Sequence, residues 1–143
     1  MKPVSPSSAG VQFLRDLNTQ IVGSPVLIEK READWVIEFA DGFAIGVGTL
    51  WRLIGAAYVC ITSEDDGHQF GLPAPVDSAA QANRLLSGKN VKEVEFDSRT
   101  GDLRLHFEGP LVLEILTTSV GYETWQMWHR GEYFAVGASG GLR

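Results

Sequence analysis

Two stretches of this chain carry the same alternation of apolar side chains, and their spacing restricts the possible folds more than any other feature. In the first, Trp35, Ile37 and Phe39 alternate with Val36 and Glu38, and Phe43, Ile45 and Val47 alternate with Ala44 and Gly46. In the second, Leu103, Leu105 and Phe107 alternate with Arg104 and His106, and Leu111, Leu113 and Ile115 alternate with Val112 and Glu114. A period of two places one set of side chains on each face of a strand, so each stretch reads as a pair of strands. Phe39 and Phe107, Phe43 and Leu111, Ile45 and Leu113, and Val47 and Ile115 all lie 68 positions apart. Upstream, Ile21-Val22-Gly23 with Val26 matches Leu86-Ser87-Gly88 with Val91 at a shift of 65, and downstream Gly67 and Phe70 match Gly131 and Phe134 at 64. The pattern predicts an internal duplication.

The connecting loops set the register. Three residues, Ala40-Asp41-Gly42, place Phe39 opposite Phe43, Ile37 opposite Ile45 and Trp35 opposite Val47. Such a loop needs a left-handed residue at its end, and Gly42 adopts that conformation without steric cost. Pro110 stands where Gly42 stands in the first copy and cannot take a positive φ, so the second turn is expected to be built around Gly109. This register also sets Arg104 directly across from Glu114, on a face expected to be solvated.

Two helices complete the pattern. Val11, Leu14, Leu17 and Ile21 fall on one helical stripe that Gly23 and Pro25 end. Ser78 to Leu86 forms the second, with Asp77 or Ser78 as its cap. Residues 1–9, rich in Pro and Ser, are expected to be a flexible leader. The chain should therefore be one α+β domain over residues 10–143, mainly antiparallel β. It would consist of two pseudo-repeats, about 10–72 and 77–141, each a helix with about five strands. One repeat buries too little apolar area alone, so the two should share a core as a curved sheet or half-barrel carrying both helices.

Composition narrows the functional classes. With 12 Lys and Arg against 18 Asp and Glu the formal charge is -6, the wrong sign for nucleic acid. One cysteine excludes an internal disulfide and fits a reducing, cytoplasmic setting. No apolar run predicts a membrane span or a signal peptide.

Sites with chemical potential are few. Gly137-Ala138-Ser139-Gly140-Gly141 has the G-x-S-x-G spacing of a nucleophile elbow, but no helix can follow it before Arg143. Glu64-Asp65-Asp66-Gly67-His68 gathers carboxylates and an imidazole without calcium-loop spacing, and reads as a wet hairpin turn. Cys60, in an apolar stretch near His68, reads as packing. His68, His106 and His129 lack zinc spacing, so neither metal nor cofactor is expected, and no catalytic residue is assigned.

The most distinctive stretch is Gly121 to His129, read as a strand that turns back through Arg130-Gly131. A two-residue loop sets Trp128 opposite Tyr133, Met127 opposite Phe134 and Trp125 opposite Val136. Trp125, Met127, Phe134 and Val136 then face the core, while Tyr122, Thr124, Gln126, Trp128 and Tyr133 share the other face. Aromatic rings beside polar groups suit an interface anchor, and Tyr122, Gln126, Trp128 and Tyr133 form the candidate binding site. The alternative is that a helix covers this face and the rings are a second layer of core.

The Asp-Gly hairpin, Trp51-Arg52, the late Gly121-Tyr122-Glu123 with Trp125 and the Gly-rich end resemble small uncharacterised bacterial proteins with a GYExW strand, some of them immunity-protein-like. The resemblance implies a bacterial origin and no obvious enzymatic activity, and it assigns no residue a role. The leading expectation is a protein-binding module for a basic protein partner. Its rival is a small-molecule binder or hydrolase with a pocket inside the sheet, lined by Trp51, Tyr58, Trp125 and Trp128, with His68 or His106 as base.

Overall fold

The computed structural model describes the backbone of residues 8–138 and 141–142 and the side chains of residues 15–132. Helix α1 spans Ser8–Ile21, so it starts two residues before the expected beginning of the domain at residue 10 and takes in the last two residues of the expected leader. Strands β1 (Leu27–Lys30), β2 (Trp35–Glu38), β3 (Phe43–Val47), β4 (Leu50–Ile54) and β5 (Val59–Thr62) follow. Helix α2 occupies Ser78–Leu86, capped as expected by the Asp77 carboxylate, which accepts the Ala80 N–H. Strands β6 (Val91–Phe96), β7 (Leu103–Phe107), β8 (Val112–Leu116), β9 (Trp125–His129), β10 (Glu132–Ala138) and β11 (Gly141–Leu142) complete the chain. The fold is α+β, with antiparallel strands throughout.

Both hairpins have the register that their loops dictate. Trp35 pairs with Val47 and Ile37 with Ile45, and the Phe39 N–H donates to the Phe43 carbonyl at 2.8 Å. Leu105 pairs with Leu113, and the Phe107 N–H donates to the Leu111 carbonyl at 3.0 Å. Gly42 is left-handed at φ 74 and Gly109 at φ 82, while Asp41, at φ 62, shares the first turn's strain.

The strands divide between two sheets instead of forming the single curved sheet expected. One has the order β1-β2-β3-β9-β10-β11, the other β5-β4-β8-β7-β6. Each sheet begins with three consecutive strands from one half of the chain and is completed by strands from the other half. Gly48-Thr49 carries the chain from β3 in the first sheet to β4 in the second, and residues 117–124 carry it back from β8 to β9. The crossovers touch, since the Gly48 N–H donates to the Thr124 carbonyl at 3.0 Å. Helices follow the same exchange: α1 packs on β6, and α2 on β1 and β5. An asparagine ties each helix to its strand. Asn83 both donates to and accepts from the Ile28 backbone at 2.8 Å, and Asn18 accepts the Val94 N–H at 3.2 Å.

The inward faces form one core. Ile37, Ile45 and Met127 of the first sheet and Trp51, Leu53, Leu105 and Leu113 of the second are fully buried in one cluster. Edge-to-face ring contacts cross between the sheets, Trp35 on Trp51 at 5.2 Å and Phe96 on Trp125 at 6.2 Å. Removing rings of this size from water makes the interior the main source of stability.

Three expectations need correcting. Arg104 does face Glu114, but the carboxylate is buried, 4% exposed, because Arg52 closes on it from β4. A bulge between Tyr133 and Ala135 shifts the last hairpin, so Met127 pairs with Ala135 and Trp125 with Gly137 instead of Phe134 and Val136. The strand expected from Gly121 starts only at Trp125, which leaves Tyr122 in a loop and Thr124 buried against Thr117.

Candidate functional site

Directly opposed residues of an antiparallel pair share a face, so the register lists define the outer surface of each sheet. On the six-stranded sheet, Glu29, Val36, Gly46 and Gln126 form one row across four strands. Leu27, Glu38, Ala44 and Trp128 form the next, and Trp128 pairs onward with Tyr133, as its hairpin predicts. Gln126 is exposed and donates to Glu123 at 3.2 Å, and Trp128 is half-buried. Gln126 and Trp128 therefore share a surface as expected. Tyr122 stands apart from it, 79% exposed in a turn where its N–H donates to Ser119 Oγ at 3.1 Å. The Tyr133 side chain lies outside the described residues, as does Ser139.

The face is not flat at Gly46. A Cβ there would sit 3.2 Å from Arg31 Nη2, so the absent side chain makes room for the guanidinium. Arg31 in turn grips Asp34 with two bonds, Nε to Oδ1 at 2.8 Å and Nη2 to Oδ2 at 2.7 Å. The Asp34 hydrogen bond and charge raise the Arg31 pKa further, against the opposing effect of burial.

Beyond Asp34 the surface falls into a cleft of about 460 Å³ at the end of the molecule where both crossovers pass. Its walls come from Asp34 and Trp35, from Thr49 and Leu50, from Ser63 and Glu64, and from Thr118. The Thr49 and Thr118 hydroxyls bond at 2.5 Å, and Ser63 Oγ accepts the Trp51 N–H at 3.0 Å. None of the lining residues is basic.

The outer face of the five-stranded sheet is charged. Arg52, Glu114, Arg104 and Glu95 oppose one another across β4, β8, β7 and β6. Arg52 Nε donates to Glu114 Oε1 at 2.6 Å and Arg104 Nε to Oε2 at 2.8 Å. Burial by itself would raise the Glu114 pKa, but the bonds from Arg104 and Arg52 outweigh it and hold the carboxylate below its ordinary range. Glu95 pairs with His106 as well.

The remaining candidates are structural. Asp65 accepts the Thr62 N–H at 3.1 Å; Asp66 accepts the Ser78 N–H at 3.0 Å and pairs with Lys30 at 2.7 Å. The acidic stretch thus links β5 to α2 and does not form the hairpin turn that its composition suggested. His68 stacks on exposed Phe70 at 5.4 Å. Cys60 is half-buried at a bulge of β5. Among the described residues no cluster of His, Cys, Asp or Glu could hold a metal. The pocket of the rival reading does not form: Trp51 and Trp125 lie in the solid core, Tyr58 is 73% exposed, and Trp128 is on the outer face.

No family model, curated protein or solved structure matches the chain. Among the described residues no helix is long and apolar enough to cross a membrane.

Proposed function

We propose that this protein is a non-enzymatic binding module whose six-stranded sheet docks a protein of basic surface. The observation that carries this reading is the placement of Trp128. It stands beside Gln126 on the outer face of an internal strand, while the helices pack on the edge strands β1, β5 and β6. Trp contributes large contact area at little rotamer cost, and a half-buried Trp is already partly ordered before it binds. Glu29 and Glu38 lie on the same face and Glu123 bonds to Gln126, so the aromatic anchor has carboxylates around it. With the overall charge of -6 they would steer a cationic partner and repel an anionic one. Neutralisation of a basic toxin, the role implied by the resemblance to immunity-like proteins, is one form this binding would take.

Capture of partners on immobilised protein tests the reading. Trp128→Ala should abolish retention of the specific polypeptide, a loss of about 2 kcal/mol or more. Circular dichroism should show the fold intact. Unchanged retention by a folded Trp128→Ala protein would remove the anchor from this face.

A further inference from the structure

Each half of the chain is completed by the other, and in the same way. Trp51 pairs with Ile115 on β8 as Trp125 pairs with Val47 on β3, so the two indoles occupy the same place in their sheets. The helices are exchanged too: α1 packs on β6 and α2 on β1, with Asn18 bonded to Val94 and Asn83 to Ile28 in matching roles. Nothing in these contacts depends on the two halves belonging to one chain.

What joins the halves is a strained loop. Residues 67–75 are all exposed. At the base of the loop the Gly67 N–H donates to the Val76 carbonyl and the Val76 N–H to the His68 carbonyl, each at 2.8 Å. At its tip Phe70 (φ 49) and Gly71 (φ 74) are both left-handed, and the Leu72 N–H closes a tight turn on the Gln69 carbonyl at 2.7 Å. That conformation is costly for a bulky side chain. Phe70 is 66% exposed, lies outside the core cluster and stacks on His68 of the same loop, so no core packing holds it there. The next residues, Leu72-Pro73-Ala74-Pro75, lean toward extended chain, because proline fixes its own φ at about −65° and drives the residue before it to extended backbone.

We propose that this loop is the hinge of a strand-exchanged dimer, in which α1 and β1–β5 of one chain close on α2 and β6–β10 of a second copy, and the reverse. Straightening the tip releases Phe70 and gives up the two bonds between Gln69 and Leu72. The contacts between halves re-form across the two chains, among them the Ser78 bonds to Asp66 and Thr62 that pin the base of the loop. Residues 69–75, once extended, span roughly 23 Å and join two lobes side by side. Hinge loops under strain favour such exchange, since the exchanged form keeps the native contacts and sheds the strain. Each lobe sets β3 of one chain against β9 of the other, so the dimer presents Trp128 twice. Where the docking reading holds, the dimer is a bivalent binder, but the exchange itself does not rest on that reading.

The test is refolding of the full chain from guanidinium chloride at millimolar concentration, followed by size-exclusion chromatography with light scattering. A dimer should form that persists on dilution to micromolar, while native monomer concentrated to the same level without unfolding stays monomeric, because exchange requires the halves to separate. Phe70→Asn, which tolerates the left-handed turn, should lower the dimer recovered about tenfold, since the strain of two hinges no longer opposes the monomer. Gly71→Pro cannot take a positive φ and forces residue 70 to extended backbone, so it should shift the chain toward dimer. Both changes lie in an exposed loop and should leave the circular dichroism of the wild type.

Wild type recovered only as monomer overturns the exchange. So does a dimer that falls apart on dilution, which is association of native surfaces, or a dimer yield that Phe70→Asn leaves unchanged. Should Gly71→Pro misfold, the comparison of wild type with Phe70→Asn still decides. Trp128→Ala should exchange as wild type does, so its effect on partner capture judges the docking face alone.

Discussion

The two sheets follow one strand plan, yet the same row of their outer faces has opposite character. In the five-stranded sheet it reads Glu95, Arg104, Glu114, Arg52, a ladder of alternating charge whose central carboxylate is buried between two guanidiniums. In the six-stranded sheet it reads Glu29, Val36, Gly46, Gln126, with a glycine at the central position and no ion pair between the opposed groups. A closed ladder leaves a partner little to bond to without breaking existing pairs. In the matched row Val36 and Gly46 are buried, with the Arg31 guanidinium over Gly46, and the exposed polar groups are Glu29 and Gln126 at its two ends. The same row thus carries an ion-paired ladder in one sheet and a largely apolar stretch in the other.

Substitutions at matched positions can break this comparison. The largest effects belong to the indoles: Trp51→Ala and Trp125→Ala should each cost about 3–5 kcal/mol in chemical denaturation. The paired Phe variants sharpen the contrast. Trp125→Phe strands the Gly101 carbonyl, whereas Trp51→Phe removes a donor that has no partner among the described residues, so Trp125→Phe should be the worse by about 1 kcal/mol.

Next comes the ladder. Removing both partners of Glu114 in Arg52→Ala/Arg104→Ala strands a buried carboxylate and should cost about 2–3 kcal/mol, discounted because both arginines are 40% exposed. At the matched position, Gly46→Ala should cost under about 1 kcal/mol, since the closest atom to the added Cβ is the movable end of Arg31 at 3.2 Å, and Asp34 Oδ2 and the Gln126 carbonyl lie at ordinary contact distance. A larger loss there would mean that the Arg31–Asp34 pair over this row cannot shift.

The smallest effect depends on pH. The folded Glu114 pKa is depressed, so its contribution is fully present above the unfolded value and is lost as pH falls through the folded one. Glu114→Gln should therefore be less stable than wild type at neutral pH, and the gap should close as the pH drops below the ordinary glutamate range. A gap that persists in acid would assign the ladder's value to packing.

The hairpins were legible in the sequence because alternation and loop length are local: Ala40-Asp41-Gly42 fixes which residues oppose one another, and Gly109 marks the second turn. Which sheet a strand joins was not legible. Leu50–Ile54 alternates in the same way whether it pairs with β3 or crosses to β8, and only the core decides. Glu114 looked solvated because a glutamate in an alternating run normally is, and the covering group, Arg52, comes from the other half of the chain. The bulge at Tyr133–Ala135 left no mark in the apolar pattern. Of the site, Gln126 and Trp128 could be read from their strand and register. The cleft could not, since Ala33 to Trp35, Thr49, Glu64 and Thr118 meet only when both crossovers are in place.

The exchange of strands between halves also bears on synthesis. As the chain leaves the ribosome, β1, β2 and β3 emerge early but have no partner for the open edge of β3 until β9 follows. β4 and β5 wait likewise for β8. Pairings this distant in sequence slow folding, and during the wait unpaired edges can meet those of neighbouring chains. The nascent first half is therefore the form most exposed to aggregation, since the five-stranded sheet can close only after β8 has emerged and the six-stranded sheet only after β9 and the strands that follow it.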